Sequence, residues 1–216
     1  MPSKQSHSGE SERDCTQYLA PYERALAKGG PRFEALLWAS PQSQRARFRT
    51  ITEMVDLRGR VVLDAGCGRA DLARFMIEQG IAYKKYIGMD AIPAWLTACR
   101  ACELPRAEFV EADFVSASTS FGGGGDADVV VFSGSLNTLE APRAREVLAR
   151  AWDSGVGTLV FNFLSTRDRV RPSEDQFRVN RLCPMEMMRW ARDRCGDVGI
   201  RHDYLQDRDC TIRMSR

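Results

Sequence analysis

The hydrophobic pattern changes character along the chain. Between residues 15 and 56, apolar side chains such as Tyr18 and Tyr22 recur at helical spacing, and Gly29-Gly30-Pro31 would end the first helix. From residue 57 onward, short and wholly apolar runs such as Val129–Phe132 alternate with amphipathic helical stretches. Such runs are typical of strands covered on both faces, and their alternation with helices predicts an open α/β sheet that is mostly parallel.

The pattern predicts a single doubly wound sheet of seven strands. Its last two strands, over 198–205 and 209–214, have only a tight connection between them and should be antiparallel. We interpret residues 1–14 as a polar tail, 15–56 as a helical segment that forms a lid, and 57–216 as the α/β core. The low-complexity run over 116–125, SASTSFGGGG, predicts a flexible connection.

Composition and charge exclude several classes of protein. The 31 Lys and Arg residues nearly balance the 29 Asp and Glu residues, which argues against nucleic acid as the default partner. The longest apolar runs are far shorter than the roughly 20 residues of a transmembrane helix, and the N-terminus does not resemble a secretory signal. Seven scattered cysteines without an export signal predict a reduced, cytoplasmic location. No cluster of ligand residues predicts a metal site.

A glycine-containing loop follows the first predicted strand of the core. It runs from Asp64 through Gly66 and Gly68, and ligands of open α/β sheets bind at the carboxyl ends of strands. Glycine lets the backbone approach a ligand closely. A dinucleotide site would have a third glycine where Asp71 stands, and an acid at a helix start would repel a pyrophosphate. The loop is therefore suited to a ligand that is poor in phosphate.

The run Val62–Leu72, VLDAGCGRADL, resembles the first motif of the class I S-adenosylmethionine-dependent methyltransferases. The resemblance extends from about residue 58 to the C-terminus, and the third small position of the motif, often glycine, is Ala70 here. It implies a Rossmann-like fold, S-adenosylmethionine as cofactor and S-adenosylhomocysteine as product.

The resemblance also implies roles for acids at three successive strand ends. Asp64 would orient the methionine part of the cofactor, Asp90 would accept both ribose hydroxyls, and Asp113 would accept the adenine amino group. A carboxylate suits the ribose because it can accept two O–H bonds at once. The implied cofactor-binding set is Trp38, Arg47, Asp64, Ala65, Gly66, Gly68, Asp90, Ala91, Ile92, Asp113, Phe114, Ser133 and Gly134.

The helical segment before the core resembles that of a bacterial subgroup of the family. The shared positions are Trp38, Ser40, Gln44, Arg47 and Phe48. A helix over the cofactor would bring Arg47 to the methionine carboxylate as a bidentate pair. The alternative is an ordinary amphipathic helix with solvated arginines.

The residues on the acceptor side are less specific. The fourth strand ends in Phe132–Asn137, FSGSLN, which is not the Asp/Asn-Pro-Pro-Tyr motif that the family uses for exocyclic amines of bases. The candidate catalytic residues are Asn137, His202 and Tyr204, each with an alternative role in a turn, a structural contact or the core. Five arginines over 165–181 would select an acidic small molecule, or form a solvated face.

We therefore expect S-adenosylmethionine-dependent methyl transfer to a small-molecule acceptor. Two alternatives remain at this stage. One is a nicotinamide-dependent oxidoreductase on a Rossmann-like fold, which the acid at position 71 opposes. The other is a non-catalytic module that binds the cofactor or a partner, since a fold alone does not determine function.

Overall fold

A computed structural model describes residues 17–121, 127–167 and 179–216. Within these ranges the chain forms seven strands and six α-helices, with short 3-10 turns at Gln17–Leu19, Phe33–Leu36 and Leu205–Asp207. In chain order these elements are α1 (Ala20–Gly29), α2 (Pro41–Met54), β1 (Val61–Ala65), α3 (Asp71–Glu78), β2 (Lys85–Asp90), α4 (Pro93–Arg100), β3 (Ala107–Glu111), β4 (Val129–Phe132), α5 (Ala141–Asp153), β5 (Thr158–Leu164), α6 (Pro184–Arg192), β6 (Asp197–Arg201) and β7 (Asp209–Ser215).

The strands form one sheet in the order β3-β2-β1-β4-β5-β7-β6. Every pair is parallel except those of β7, which runs antiparallel to both β5 and β6. The predicted α/β class, the mostly parallel sheet and the antiparallel final pair are confirmed. The chain order reverses between β1 and β4, and such a switch point opens a crevice at the carboxyl ends of the strands.

Both faces of the central strands are buried, as their apolar runs predict. All five residues of β1 and all four of β4 are buried. On one face Val130 and Phe132 pack with α5 and α6, and on the other face Val129 and Val131 pack with α2 and α3. The sheet is therefore a middle layer between two layers of helices.

The two halves of the segment before the core have different positions. Helix α2 begins at a capping box formed by Ser40 and Ser43, and its residues Phe48 and Ile51 pack in the core with α3. The preceding part, residues 17–38, packs its apolar side chains on Ile92 and Trp95 beside the carboxyl end of β2. Only this earlier part lies over the crevice, whereas α2 covers one face of the sheet.

The segment after β3 differs from the flexible connection that its composition predicts. Residues 122–126 of this stretch lie outside the described residues, but Phe121 is 1% exposed. The guanidinium of Arg150 in α5 donates to the carbonyl oxygens of Phe114 at 2.7 Å, Val115 at 3.1 Å and Ser116 at 2.6 Å. One half-buried cation thus holds the backbone that follows β3, because it satisfies several carbonyl groups together.

Some sequence predictions fall outside the described residues. They are the polar tail over 1–14 and three arginines of the arginine-rich stretch, Arg169, Arg171 and Arg178. Among the helices of the described ranges, none has the length and apolar composition that would cross a membrane.

Candidate functional site

A cleft lies between residues 17–38 and the carboxyl ends of the central strands. It contains much of the set that the sequence resemblance implies, and those residues come from five separate parts of the chain. The implied residues that line the cleft are Trp38, Gly66, Gly68, Asp90, Ala91, Ile92, Phe114, Ser133 and Gly134.

The glycine loop after β1 forms one wall of this cleft. Gly66 and Gly68 have φ angles of 80° and 51°, in the left-handed region that favours glycine. A Cβ atom at position 68 would lie 2.6 Å from Cδ2 of Leu36, and one at position 66 would lie 2.5 Å from Cβ of Ser135. Glycine is therefore required both for the turn and for the close approach of the N-terminal segment.

Asp90, the last residue of β2, holds this loop in place. Its carboxylate accepts hydrogen bonds from the backbone N–H of Gly68 at 2.8 Å and of Ile92 at 3.0 Å. Burial raises the pKa of Asp90, and these backbone donors oppose that effect. A carboxylate has lone pairs for about four donors, so Asp90 can accept further hydroxyl groups from the cleft.

Asp64 lies below the loop and does not line the cleft. It is 3% exposed, and the hydroxyl of Tyr86 donates to its Oδ2 at 2.7 Å. Burial raises the pKa of Asp64 to about 7, the Tyr86 hydrogen bond opposes this effect, and the carboxylates of Asp90 and Asp71 add to it. Ala65 is fully buried in the core beside it.

Asp113 lies two residues beyond the end of β3 and is bonded to the N-terminal segment. Its Oδ1 accepts a hydrogen bond from the hydroxyl of Tyr18 and another from the backbone N–H of Val115 at 2.8 Å. Burial and the hydrogen bond to Asp113 raise the pKa of Tyr18. The Tyr18 hydroxyl thus donates to the same carboxylate that, according to the resemblance, accepts a hydrogen bond from the adenine amino group.

Arg47 in α2 is buried behind the cleft and is not a solvated arginine. Its Nε lies 2.5 Å from Oδ1 of Asp209, and the two side chains are 7% and 3% exposed. Its guanidinium also lies over the ring of Trp38, 4.4 Å from the ring centroid. The structure therefore brings Trp38 to the cleft and gives Arg47 a carboxylate partner inside the protein.

Asp71, the acid in place of a third glycine, faces α2. Its Oδ2 accepts from Nε2 of Gln44 at 3.2 Å, and its Oδ1 accepts from Arg74 at 3.1 Å. This side chain links the starts of two helices and does not line the cleft.

The three catalytic candidates lie outside the described lining of the cleft. Asn137 accepts from the backbone N–H of Leu164 at 3.3 Å. Nε2 of His202 lies 2.9 Å from Oγ of Ser165, and the Tyr204 hydroxyl lies 2.6 Å from Oγ1 of Thr211. Each candidate has a hydrogen-bond partner within the protein, and the catalytic roles stay predictions.

Cysteine residues support the same loop. The Cys99 thiol donates to the carbonyl oxygen of Gly68 at 3.2 Å, and Cys67 and Cys99 are both buried free thiols. The hydrogen bond with Cys99 and burial raise the pKa of Cys67. Cys67 packs in the core with α3, which agrees with its interpretation as a small packing residue.

Sequence reasoning missed several residues of the site. The sequence shows the apolar side chains at helical spacing in the N-terminal segment, such as Tyr18 and Tyr22, but it does not show that they cover the cleft. The role of Asn162, which the sequence leaves open between a substrate contact and a turn, is to accept from the backbone N–H of Gly134 at 2.8 Å and so to hold the turn after β4. The lining residues that the sequence did not indicate are Tyr18, Leu19, Tyr22, Leu36, Trp95 and Ser135.

Comparison with known proteins finds a family model that matches part of the chain. Residues 62–154 match a family described as a methyltransferase domain, from β1 to the end of α5. Among curated proteins, none matches this sequence.

Solved methyltransferase structures share the fold. The 1,6-didemethyltoxoflavin-N1-methyltransferase of Burkholderia thailandensis, solved with 1,6-didemethyltoxoflavin and S-adenosylhomocysteine bound, is 14% identical, with a TM-score of 0.63 over 100% of this chain and 93% of that one. The magnesium protoporphyrin IX methyltransferase of Synechocystis, with S-adenosylhomocysteine bound, is 13% identical, with a TM-score of 0.60 over 96% and 98%. An O-methyltransferase family protein of Burkholderia thailandensis is 23% identical, with a TM-score of 0.58 over 92% and 71%.

Proposed function

We propose that this chain, which carries a class I S-adenosylmethionine-dependent methyltransferase domain, transfers a methyl group from S-adenosylmethionine to a small-molecule acceptor. The domain match over residues 62–154 and the fold shared with methyltransferases solved with S-adenosylmethionine or S-adenosylhomocysteine support the family that the sequence resembles. S-adenosylhomocysteine is then the product. The acceptor itself is the part that we propose.

The observation that carries the proposal is the arrangement of Asp90 and the glycine loop. The Asp90 carboxylate lies in the cleft, bonded to the backbone of Gly68, with further acceptor capacity. Gly66 and Gly68 let Ser135 and Leu36 pack directly against the loop backbone, where any Cβ atom would clash with them. In addition, the buried hydroxyl of Ser135 has no hydrogen-bond partner among the described residues, although Ser135 lines the cleft. These features suit a nucleoside with a polar tail.

The chain's own residues would bind and orient the cofactor. We assign Asp90 to the two ribose hydroxyls, Ala91 and Ile92 to the adenine, and Ser133 and Gly134 to the end that carries the methyl group. Bound there, S-adenosylmethionine supplies an electrophilic methyl group on a sulfonium. The covering segment would exclude water and fix the approach of the acceptor, which is most of what an in-line displacement needs.

The two alternatives explain less of the site. A nicotinamide-dependent oxidoreductase does not account for the methyltransferase domain match over residues 62–154. A non-catalytic cofactor-binding module would have the same cleft. Only an assay of methyl transfer distinguishes that alternative from an enzyme.

We propose a small-molecule acceptor because the names of two methyltransferases with a similar fold state different small molecules as the acceptor. Of the described residues that line the cleft, Asp90 alone is charged. This lining does not favour an acidic acceptor, and the arginines expected to select one lie largely outside the described residues. A cytoplasmic location and a bacterial source stay predictions.

Titration calorimetry tests the proposal. S-adenosylmethionine and S-adenosylhomocysteine should bind with micromolar dissociation constants, on the order of −8 kcal/mol, whereas NAD should not bind. Asp90→Asn should weaken the binding of S-adenosylhomocysteine by roughly 1.5–3 kcal/mol, or about tenfold to 150-fold, because hydrogen bonds to a charged group are lost.

Glu111→Gln is the matched control, because Glu111 ends the adjacent strand β3 and is exposed. It should leave the affinity unchanged. A folded Asp90→Asn protein with wild-type affinity would contradict the ribose assignment, and a folded wild-type protein that binds neither adenosyl compound would contradict the proposed function.

A further inference from the structure

We propose that Arg47 and Asp209 are positioning residues that hold Trp38 as a wall of the cleft beside Gly134, so that Arg47 acts through Trp38 and does not bind the cofactor. This inference rests on the proposed function for its meaning. Its observations are contacts within the protein, and they can be tested separately.

The first contact is a buried ion pair that joins distant parts of the chain. Arg47 lies in α2 and Asp209 is the first residue of β7, yet Nε and Oδ1 are 2.5 Å apart and both side chains are almost fully buried. A buried charge without its partner is strongly destabilising, so each side chain keeps the other in place. The pair therefore fixes the guanidinium at one point behind the cleft.

The second contact is between that guanidinium and an aromatic ring. The carbon of the Arg47 guanidinium lies 4.4 Å from the centroid of the Trp38 ring, and Phe48 meets the same ring edge-on at 6.3 Å. A planar, weakly hydrated guanidinium covers an indole face, and a compact ammonium group does so less well. One face of Trp38 is thus occupied from inside the protein.

The third contact is on the cleft side of Trp38. A Cβ atom at Gly134 would lie 2.8 Å from Cζ2 and 2.9 Å from Cη2 of the ring, so the ring rests directly on the glycine. The N–H of Gly134 donates to Asn162 of β5 at 2.8 Å, which holds the glycine from the other side. The contacts form one continuous path from β7 to the end of β4.

This path gives the ion pair a function. Trp38 lines the cleft at the end of β4, where we assign the transferred methyl group. A fixed ring at that place offers the acceptor a flat apolar surface and keeps water out. We assign ribose binding to Asp90, at the end of β2, which is two strands away from β4 in the sheet. Loosening Trp38 should therefore disturb the acceptor side and spare most of the cofactor affinity.

The test measures Trp38 directly. Arg47→Lys keeps the charge but not the planar stacking group, and Asp209→Asn removes the charge of the partner. The acrylamide quenching of Trp38 is taken as the difference between each protein and the same protein carrying Trp38→Phe. We expect both variants to raise the quenching constant of Trp38 at least about twofold, while S-adenosylhomocysteine affinity stays within about threefold of wild type by calorimetry.

Helix α2 also supplies a matched control. Arg45 pairs with Glu78 at 2.7 Å and lies over the Phe75 ring at 5.2 Å, but this pair is half-exposed and does not line the cleft. Arg45→Lys should leave both the Trp38 signal and the affinity unchanged. If Asp209→Asn does not fold, the double variant Arg47→Met/Asp209→Leu replaces the pair with apolar groups that burial tolerates, and it should also raise Trp38 quenching.

Two results would overturn the inference. One is an unchanged Trp38 signal in the folded variants of Arg47 and Asp209. The other is a loss of S-adenosylhomocysteine affinity of tenfold or more in Arg47→Lys without a change at Trp38, which would make Arg47 a cofactor ligand. If wild-type protein binds no S-adenosylhomocysteine, the proposed function fails, and the quenching data still decide whether the pair positions Trp38.

Discussion

The replacement of Asp64 by asparagine should change how the free energy of unfolding depends on pH. This carboxyl group is 3% exposed at the end of β1, where Tyr86 donates a hydrogen bond to it. Burial raises its pKa to about 7 in the folded protein. In an unfolded chain, an aspartate has a pKa of about 3.9.

The sign of the effect follows from proton binding. Between about pH 4 and pH 7 the folded carboxyl group keeps a proton that the unfolded chain has already lost, so stability falls as pH rises through this window. A difference of about three pKa units corresponds to about 4 kcal/mol, the upper limit for this one group. Asparagine does not titrate, so the dependence disappears in the variant. The unfolding free energy of Asp64→Asn, relative to wild type, should therefore rise by up to about 4 kcal/mol between pH 4 and pH 8.

Urea denaturation without cofactor at about pH 4.5, 6 and 8 measures this difference. The informative quantity is how the difference in unfolding free energy between Asp64→Asn and wild type changes with pH. Any loss of the Tyr86 hydrogen bond lowers the stability of the variant equally at all three pH values and does not contribute to this change. Asp56→Asn is the control, since the Asp56 side chain is 70% exposed and its contribution should be small at every pH. A constant difference between Asp64→Asn and wild type across this range would refute the reasoning.

Two further predictions concern the glycine loop and the covering segment. Gly68→Ala should lower the unfolding free energy by about 1–3 kcal/mol, because φ is 51° and a Cβ atom would clash with Leu36. The control is Gly80→Ala, which has a φ of 65° but open space around the Cβ position and should lower the unfolding free energy less in the same urea denaturation assay. Equal losses in the two variants would contradict a role for Leu36. Tyr18→Phe should raise S-adenosylhomocysteine affinity by up to about tenfold in calorimetry. The reason is that the Tyr18 hydroxyl no longer occupies the Asp113 oxygen, so the ligand does not have to displace that hydrogen bond. A lower affinity would show that the Tyr18 hydroxyl contributes to binding.

Much of the site was predictable because its signals are local. The apolar run of β1 followed directly by Asp64, Gly66 and Gly68 needs no long-range information, and neither does an acid that ends β2. Parallel strands bring their carboxyl ends to one edge, so the fold class already predicts that Asp90 lies near the loop. The capping residues of α2 are local in the same way.

The partners of single side chains were not predictable, because they lie far apart in the chain. The pattern places Arg47 on a helix, but the carboxylate that it binds is 162 residues away at the start of β7. Tyr18 shows the same limit, since its acceptor Asp113 is 95 residues away. Helical spacing indicates that a face is covered and does not identify the surface that covers it.

By itself, the sequence determined the α/β class, the glycine loop and the acid at the end of β2, because each depends on neighbouring residues and on the topology of a parallel sheet. The tertiary structure alone decided that residues 17–38 cover the cleft, that Asp64 lies beneath it and that Trp38 rests on Gly134. The physical reason is that secondary structure follows the local order of side chains, whereas packing decides which distant charges and rings meet out of water.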